Sequence, residues 1–246
     1  MRSNLLVSCL CVTENRAPFM PWLLWSYDRQ TWKDKELIVV DSSREPVSFA
    51  RPDVRILHAP PGTQIMAKRA VALRAMRGRA LAWFDDDDWQ HPERLARIAA
   101  ALCSGALIAG APHTWLLDLF GKRCRRHLEP SDSLLFNAAG YASDLARSRP
   151  SIERVLGPGS ETDWSHWFQR EAAERLALLS GPPLTALLCH SSNILNRPSR
   201  WHFESPMGAF KVEVGERAWA DTGEQLDALR ARIVVQPRCR NPINGV

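Results

Sequence analysis

The sequence predicts an α/β fold in which a mostly parallel sheet is flanked by helices, followed by a less regular second half. Three observations predict it. Short apolar runs of strand length, "LLVSCLCV", "KELIVV", "RALAWF" and "ALIAGA", recur through residues 1–112, and continuous apolar runs suit strands buried on both faces. Segments with three- and four-residue apolar spacing alternate with them, which argues for parallel strands joined by helical crossovers. Polar clusters follow the strands directly: Thr13–Arg16, Asp41–Ser43 and Asp85–Asp88. Ligands of open parallel sheets bind beyond the carboxyl ends of the strands, so these clusters are expected to converge on one rim.

Each element has its own justification. "LLVSCLCV" (5–12) is the first strand. "PFMPWLLWSYDRQ" carries Phe19, Trp22, Leu23 and Ser26 or Tyr27 at helical steps, with Pro18 and Pro21 in the first turn, where proline is tolerated. "KELIVVDSS" (35–43) is a second buried strand and "DVRILHAP" a shorter third. "GTQIMAKRAVALRAMRG" is a helix opened at Thr63 and closed at Gly78. "RALAWF" is the fourth strand, "HPERLARIAAALCSG" a helix between Pro92 and Gly105, and "ALIAGA" the fifth strand. Beyond residue 112 the pattern loosens. "HTWLLDLFGKRCRRHLEP" predicts a hairpin turning at Gly121, and "ETDWSHWFQREAAERLALL" a helix starting near Asp163. "LTALLCHSSNIL" reads as a strand ending at His190, and "TGEQLDALRAR" as a helix before the apolar run "IVVQ".

Composition narrows the function. A chain of 246 residues has ample length for a core. No window of about 18 uninterrupted apolar residues occurs, so no transmembrane helix is expected, and a cytoplasmic protein, in peripheral contact with the inner membrane face at most, is the expectation. The six cysteines form no CxxC pair, which argues against a zinc ribbon or a thioredoxin-like motif and for reduced thiols. The net charge of +5 and a pI near 9.1 suit nucleic acid, an anionic membrane or a phosphorylated small molecule. No nucleic-acid module accompanies the arginines, so no nucleic-acid partner is expected and a phosphate-bearing ligand ranks first.

The run "ALAWFDDDDW" (80–89) sets four carboxylates at a strand end. Two unit charges about 4 Å apart repel by roughly 1 kcal/mol even in bulk water. A solvated acidic loop is one answer. A divalent cation is the other: magnesium takes one or two carboxylates and leaves positions for phosphate oxygens, which suits Asp85 with Asp87, or Asp86 with Asp88.

Residues 5–98 resemble glycosyltransferase family 2. "VSCLCVTENR" is similar to that family's first strand and its "NR" turn, "RQTWKDKELIVVDSS" to its "EiivvDDgS" strand, and "AKRAVALRAMRGRALAWFDDDDWQHPERL" to its "aRN.gl" helix and "LDdDD" motif. The resemblance implies the GT-A fold: a Rossmann-like, nucleotide-sugar-binding half, here residues 1–112, and an acceptor-binding half carrying the catalytic base, here residues 113–246. It implies transfer of a sugar with inversion, from a UDP-sugar foremost or a GDP- or dTDP-sugar, to a glycan, lipid-linked or small-molecule acceptor. It places Thr13, Glu14 and Arg16 around base and ribose, Asp41 on the base, Arg69 near the diphosphate and Asp86 on the nucleotide. Asp85 and Asp87 would hold Mn²⁺ or Mg²⁺. Ala70 and Ser42 stand where the family has asparagine and a second aspartate.

Two shorter matches follow. "SETDWSHWFQR" resembles the "ED..lW.R" segment that carries the general base, which gives Asp163, with Glu161 as the alternative. "LLCHSSNIL" resembles a segment whose histidine completes the metal site, which gives His190. Trp89, Trp164 and Trp167 lie near these motifs and are candidates for stacking on an acceptor sugar, although tryptophan also fills cores. Asp163 could instead be only a helix cap, although the tryptophan four residues on favours catalysis, and His190 could be a structural histidine. A sugar nucleotidyltransferase is the competing enzyme, but "VTENRAPF" has no glycine- and lysine-rich loop. A GT-A-like nucleotide-sugar-binding protein without turnover is the competing non-enzyme.

Overall fold

A computed structural model describes residues 5–128, 134, 137–148, 161–190 and 203–235. The first half alternates as β1 (Val7–Thr13), α1 (Met20–Asp28), β2 (Lys35–Asp41), β3 (Val54–His58), α2 (Ile65–Ala75), β4 (Ala80–Trp83), β5 (Trp89–Gln90), α3 (Arg94–Cys103) and β6 (Ile108–Gly110). The second half supplies β7 (His113–Asp118), β8 (Arg123–Leu128), β9 (Gly140–Ala142), α4 (Ser143–Ala146) and α5 (Glu161–Glu171). It continues with β10 (Leu176–Leu178), β11 (Thr185–Cys189), β12 (Ser205–Pro206), α6 (Met207–Val214), α7 (Glu216–Trp219) and α8 (Thr222–Val235). Among the described residues the strands form two sheets, ordered β10-β6-β9-β4-β1-β2-β3 and β12-β8-β7-β11-β5.

The apolar strands are buried on both sides, and residue parity sorts their side chains. Val7, Cys9, Cys11, Leu37, Val39, Ala80, Ala82 and Phe84 share one cluster with Trp22 and Leu23 of α1, Leu95 of α3 and Phe210 of α6. The intervening Leu10, Ile38, Val40, Leu81 and Trp83 share the other with Ala70, Ala72 and Leu73 of α2 and Trp164 and Phe168 of α5. The pairs β4–β1, β1–β2 and β2–β3 are parallel, which sends their carboxyl ends to one edge.

Several elements differ from the sequence expectation. The fifth strand does not extend the parallel array: β9 is inserted antiparallel between β4 and β6. The α2 helix starts one step after Gln64, while the Thr63 hydroxyl donates to the Pro60 carbonyl at 2.5 Å. Gly78 does not close that helix, which ends at Ala75. A Cβ there would sit 2.6 Å from the Leu6 carbonyl oxygen, so the glycine admits a close backbone approach. Gly105 does follow α3, at φ +104, the left-handed geometry that closes helices. "LAL" leaves the predicted long helix to become β10, where its backbone bonds to β6. The "IVV" run continues α8, and α6 is an additional helix. The hairpin at Gly121 is present as β7–β8. Among the described residues no helix is long and apolar enough to cross a membrane.

Candidate functional site

The carboxyl ends of β4, β1 and β2 meet at one rim. Thr13 lies opposite Asp41 and Leu10 opposite Trp83, so the polar residues that follow each strand are neighbours. Asn15 takes φ +53, a left-handed geometry that asparagine tolerates better than most residues. Its N–H donates to Ser43 Oγ at 2.6 Å. The next residue, Arg16, turns over the Phe19 ring at 4.4 Å and onto the aspartate run.

Each aspartate of the run has partners from this chain. Asp85 faces Arg69 Nη2 at 3.4 Å and accepts from Asn137 Nδ2 at 3.4 Å. Asp86 accepts from Thr13 Oγ1 at 2.6 Å and pairs with Arg16 Nε at 3.2 Å. Asp87 Oδ2 is held by Arg16 Nη2 and lies 3.1 Å from His190 Nε2. Asp88 accepts from Asn137 Nδ2 at 2.8 Å. Asp86, Asp87 and Asp88 are buried, and Asp85 is partly exposed. His190, directly after β11, is fully buried and its ring centroid lies 4.8 Å from that of Phe19.

This environment divides the run electrostatically. Burial pushes the Asp86 carboxyl above the usual range against the pull of Arg16. Burial likewise raises Asp88, reinforced by the charges of Asp87 and Asp85. Burial acts the same way on Asp87, but Arg16 and His190 outweigh it and hold that carboxyl low. Asp87 is thus held as an anion.

The other expected residues fall into three groups. Glu14 accepts from Gly62 N–H at 2.9 Å at the open side of the rim. Arg69 is buried under Asp85, with its guanidinium 4.3 Å from the Trp83 ring centroid. Asp41 is fully buried and shapes its own loop: Oδ1 accepts from Ser43 N and Oγ at 2.8 and 2.5 Å, and Oδ2 from Val47 N at 2.9 Å. The three tryptophans are core residues in this structure, contrary to an acceptor-stacking role. Trp89 is fully buried 5.0 Å from Phe210 and bonds Thr222 through its indole N–H. Trp164 packs 4.2 Å from Phe168 and 5.6 Å from Tyr141, and Trp167 5.0 Å from Phe168. The cause is apolar volume: Trp89 fills the face on which the strands carry the small residues Cys9, Ala80 and Ala82, and Trp164 and Trp167 of α5 cover the opposite face. Glu161 and Asp163 begin α5, and their side chains lie outside the described residues.

Two site residues were missed. Lys68 is buried and donates to Thr13 O at 3.1 Å and Ser42 Oγ at 2.9 Å, with Glu14 Oε2 at 3.4 Å. Its place beside Arg69 in the first turn of the helix that meets the rim was the available signal. Asn137, which joins Asp85 to Asp88, comes from a segment with no motif.

The donor set does not fit the expected divalent ion in this arrangement. Among the described residues no three His, Cys, Asp or Glu side chains stand together in a metal-holding group. The oxygen that would bind an ion between Asp87 and His190 carries the Arg16 guanidinium instead.

Comparison with known proteins gives the context of this rim. The sequence model of the family described as "Glycosyl transferase family 2" matches residues 8–148, more than half of the chain. No curated protein matches the sequence. Among solved structures, S. aureus TarS 1–349 in complex with UDP-GlcNAc is 16% identical, with a TM-score of 0.58 over 76% of this chain and 60% of that one. The mannosyltransferase PcManGT from Pyrobaculum calidifontis, in complex with GDP-Man and Mn²⁺, is 13% identical, with a TM-score of 0.55 over 93% and 74%. This chain thus spans about three-fifths of TarS 1–349. At such identities the likeness is one of fold.

Proposed function

The chain belongs to glycosyl transferase family 2, and from that premise we propose that it moves a sugar from a nucleoside-diphosphate sugar to an acceptor hydroxyl with inversion. The observation that carries this reading is the convergence of Thr13, Arg16, Asp41, Lys68, Arg69 and Asp85–Asp88 at the carboxyl ends of three neighbouring parallel strands. A crevice there suits a nucleotide. The basic groups Arg16, Lys68 and Arg69 suit its diphosphate, as charge-assisted hydrogen bonds to phosphate are strong.

In this reading residues 1–112 hold the donor and residues 113–246 the acceptor. Glu14 and Ser42 border the base and ribose pocket, and Arg69 stabilises charge that develops on the departing diphosphate. An acceptor hydroxyl is a weak nucleophile, and a carboxylate that takes its proton during attack overcomes this. Asp163 at the start of α5 is our choice for that base, with Glu161 next. The divalent ion forms no part of this reading, because Arg16 holds the oxygen of Asp87 that the ion would need. A UDP donor is favoured over GDP or dTDP, since the TarS structure described above holds UDP-GlcNAc, although PcManGT holds GDP-Man.

Thermal unfolding with UDP, GDP and dTDP tests the proposal. A ligand of the folded state at 100 times its Kd adds about 2.7 kcal/mol of stability, so one of the three should raise Tm by several degrees. If none shifts Tm or shows heat of binding, the donor-site reading is wrong.

A further inference from the structure

Every carboxylate of the aspartate run finds a partner within the chain. Arg16 spans Asp86 and Asp87, Arg69 faces Asp85, and Asn137 joins Asp85 to Asp88. Resting on the reading of this rim as a nucleoside-diphosphate site, we propose that Arg16 is the resident cation of the site, occupying the place of a divalent ion and meeting the donor diphosphate without one.

Three observations support this. First, the contact is at the critical atom. Arg16 Nη2 bonds the same Asp87 Oδ2 that His190 Nε2 approaches at 3.1 Å, and itself lies 3.4 Å from that histidine nitrogen. That separation would suit two ligands of one ion about 2.0–2.2 Å from each, but the guanidinium nitrogen fills the space such an ion would take. Second, Arg16 is built into its position. The left-handed Asn15 before it is fixed by the bond to Ser43 Oγ, and the Phe19 ring lies against the guanidinium. Displacing it would leave buried Asp86 and Asp87 without their main counter-charge, an arrangement that proteins avoid. Third, the chemistry is sufficient. A guanidinium is always charged and presents five N–H donors in a plane. Two carboxylate contacts leave donors for a phosphate oxygen, and Arg69, buried beneath Asp85, adds a second positive charge nearby.

Calorimetry of UDP, GDP and dTDP with the whole chain, in excess EDTA and in excess Mn²⁺, gives the first test. The Kd of the nucleotide that binds should agree within about threefold between the two buffers. A loss of affinity of about tenfold or more in EDTA overturns the proposal. The second test needs no nucleotide: Mn²⁺ alone is titrated and its bound fraction read by electron paramagnetic resonance. The wild-type chain should bind none, and Arg16→Gln should gain a Mn²⁺ site that Asp87→Asn in the same chain removes. Tight Mn²⁺ binding by the wild type overturns the proposal, as does a folded Arg16→Gln that gains nothing. Arg16→Lys keeps a cation on a compatible stem. If Arg16→Gln fails to fold, Arg16→Lys decides: nucleotide binding weakened yet still indifferent to EDTA supports the proposal, and binding as tight as that of the wild type, or lost in EDTA, overturns it. Absence of nucleotide binding in every buffer would refute the donor-site reading, and the Mn²⁺ titration would still decide the role of Arg16.

Discussion

At the scale of residues, the sequence pointed to the right strand ends but not to what their side chains do. Asp85–Asp88, Asp41 and Thr13 were legible because each follows an apolar strand directly, and the parallel sheet delivers them to one edge. Their bonding was not legible. Asp41 accepts from two N–H groups of its own loop, and Lys68 enters the site because a helix turn carries it there. Asp163 is the residue with the sharpest kinetic expectation. Asp163→Asn conserves shape, but it cannot take a proton. It should lower kcat by about 10²–10⁴-fold and leave the Kd for the nucleotide unchanged. Transfer at close to the wild-type rate would move the assignment to Glu161.

At the scale of elements, period and boundary residues were informative where an apolar run or a helical spacing by itself decides the element. The strands β1, β2 and β4 and the helices α1 and α3 fall where their patterns place them. The failures lie where tertiary pairing overrides local preference. "LAL" has helical neighbours, yet it pairs with β6 because an edge strand's open N–H and C=O groups gain partners there. Gly78 reads as a helix stop, but its role is clearance: a Cβ would approach Leu6 O at 2.6 Å and Ala80 O at 2.8 Å. Both are backbone atoms that cannot swing aside. Gly78→Ala should therefore cost about 2–4 kcal/mol by overpacking and backbone displacement, seen as a lower urea midpoint at unchanged m-value. A midpoint equal to that of wild type would show that the β1–β4 junction adapts freely.

At the scale of the whole molecule, the second sheet was the least legible feature. Its strands come from residues 89–90, 113–128, 185–189 and 205–206, and no local pattern predicts pairing across such separations. The antiparallel insertion of β9 is invisible for the same reason. Packing of this kind also sets a pH response. Burial pushes the His91 imidazole down to about 4, and its Nδ1 accepts the Glu93 N–H at 3.0 Å. The folded state therefore favours neutral His91, whereas the unfolded chain takes up a proton near pH 6.5. Stability from this source is complete above about pH 6.5 and falls as pH drops toward 4, by an amount on the order of 2 kcal/mol. Burial and Arg126 lower His113 in the same direction, against the opposing pull of Glu213. Urea melts at several pH values should show a shallower acid slope for His91→Gln than for wild type, and identical slopes would rule the residue out. The place of the aspartates in this architecture has one more consequence. They connect β4 in one sheet to β5 in the other, with Phe84 anchored in the core before them and Trp89 after. The run is therefore also a ruler, and its length measures the gap between two sheets. Deleting any one aspartate, whatever its charge role, should pull Trp89 out of phase with Ala186 across the β5–β11 pair and turn its side chain from the core.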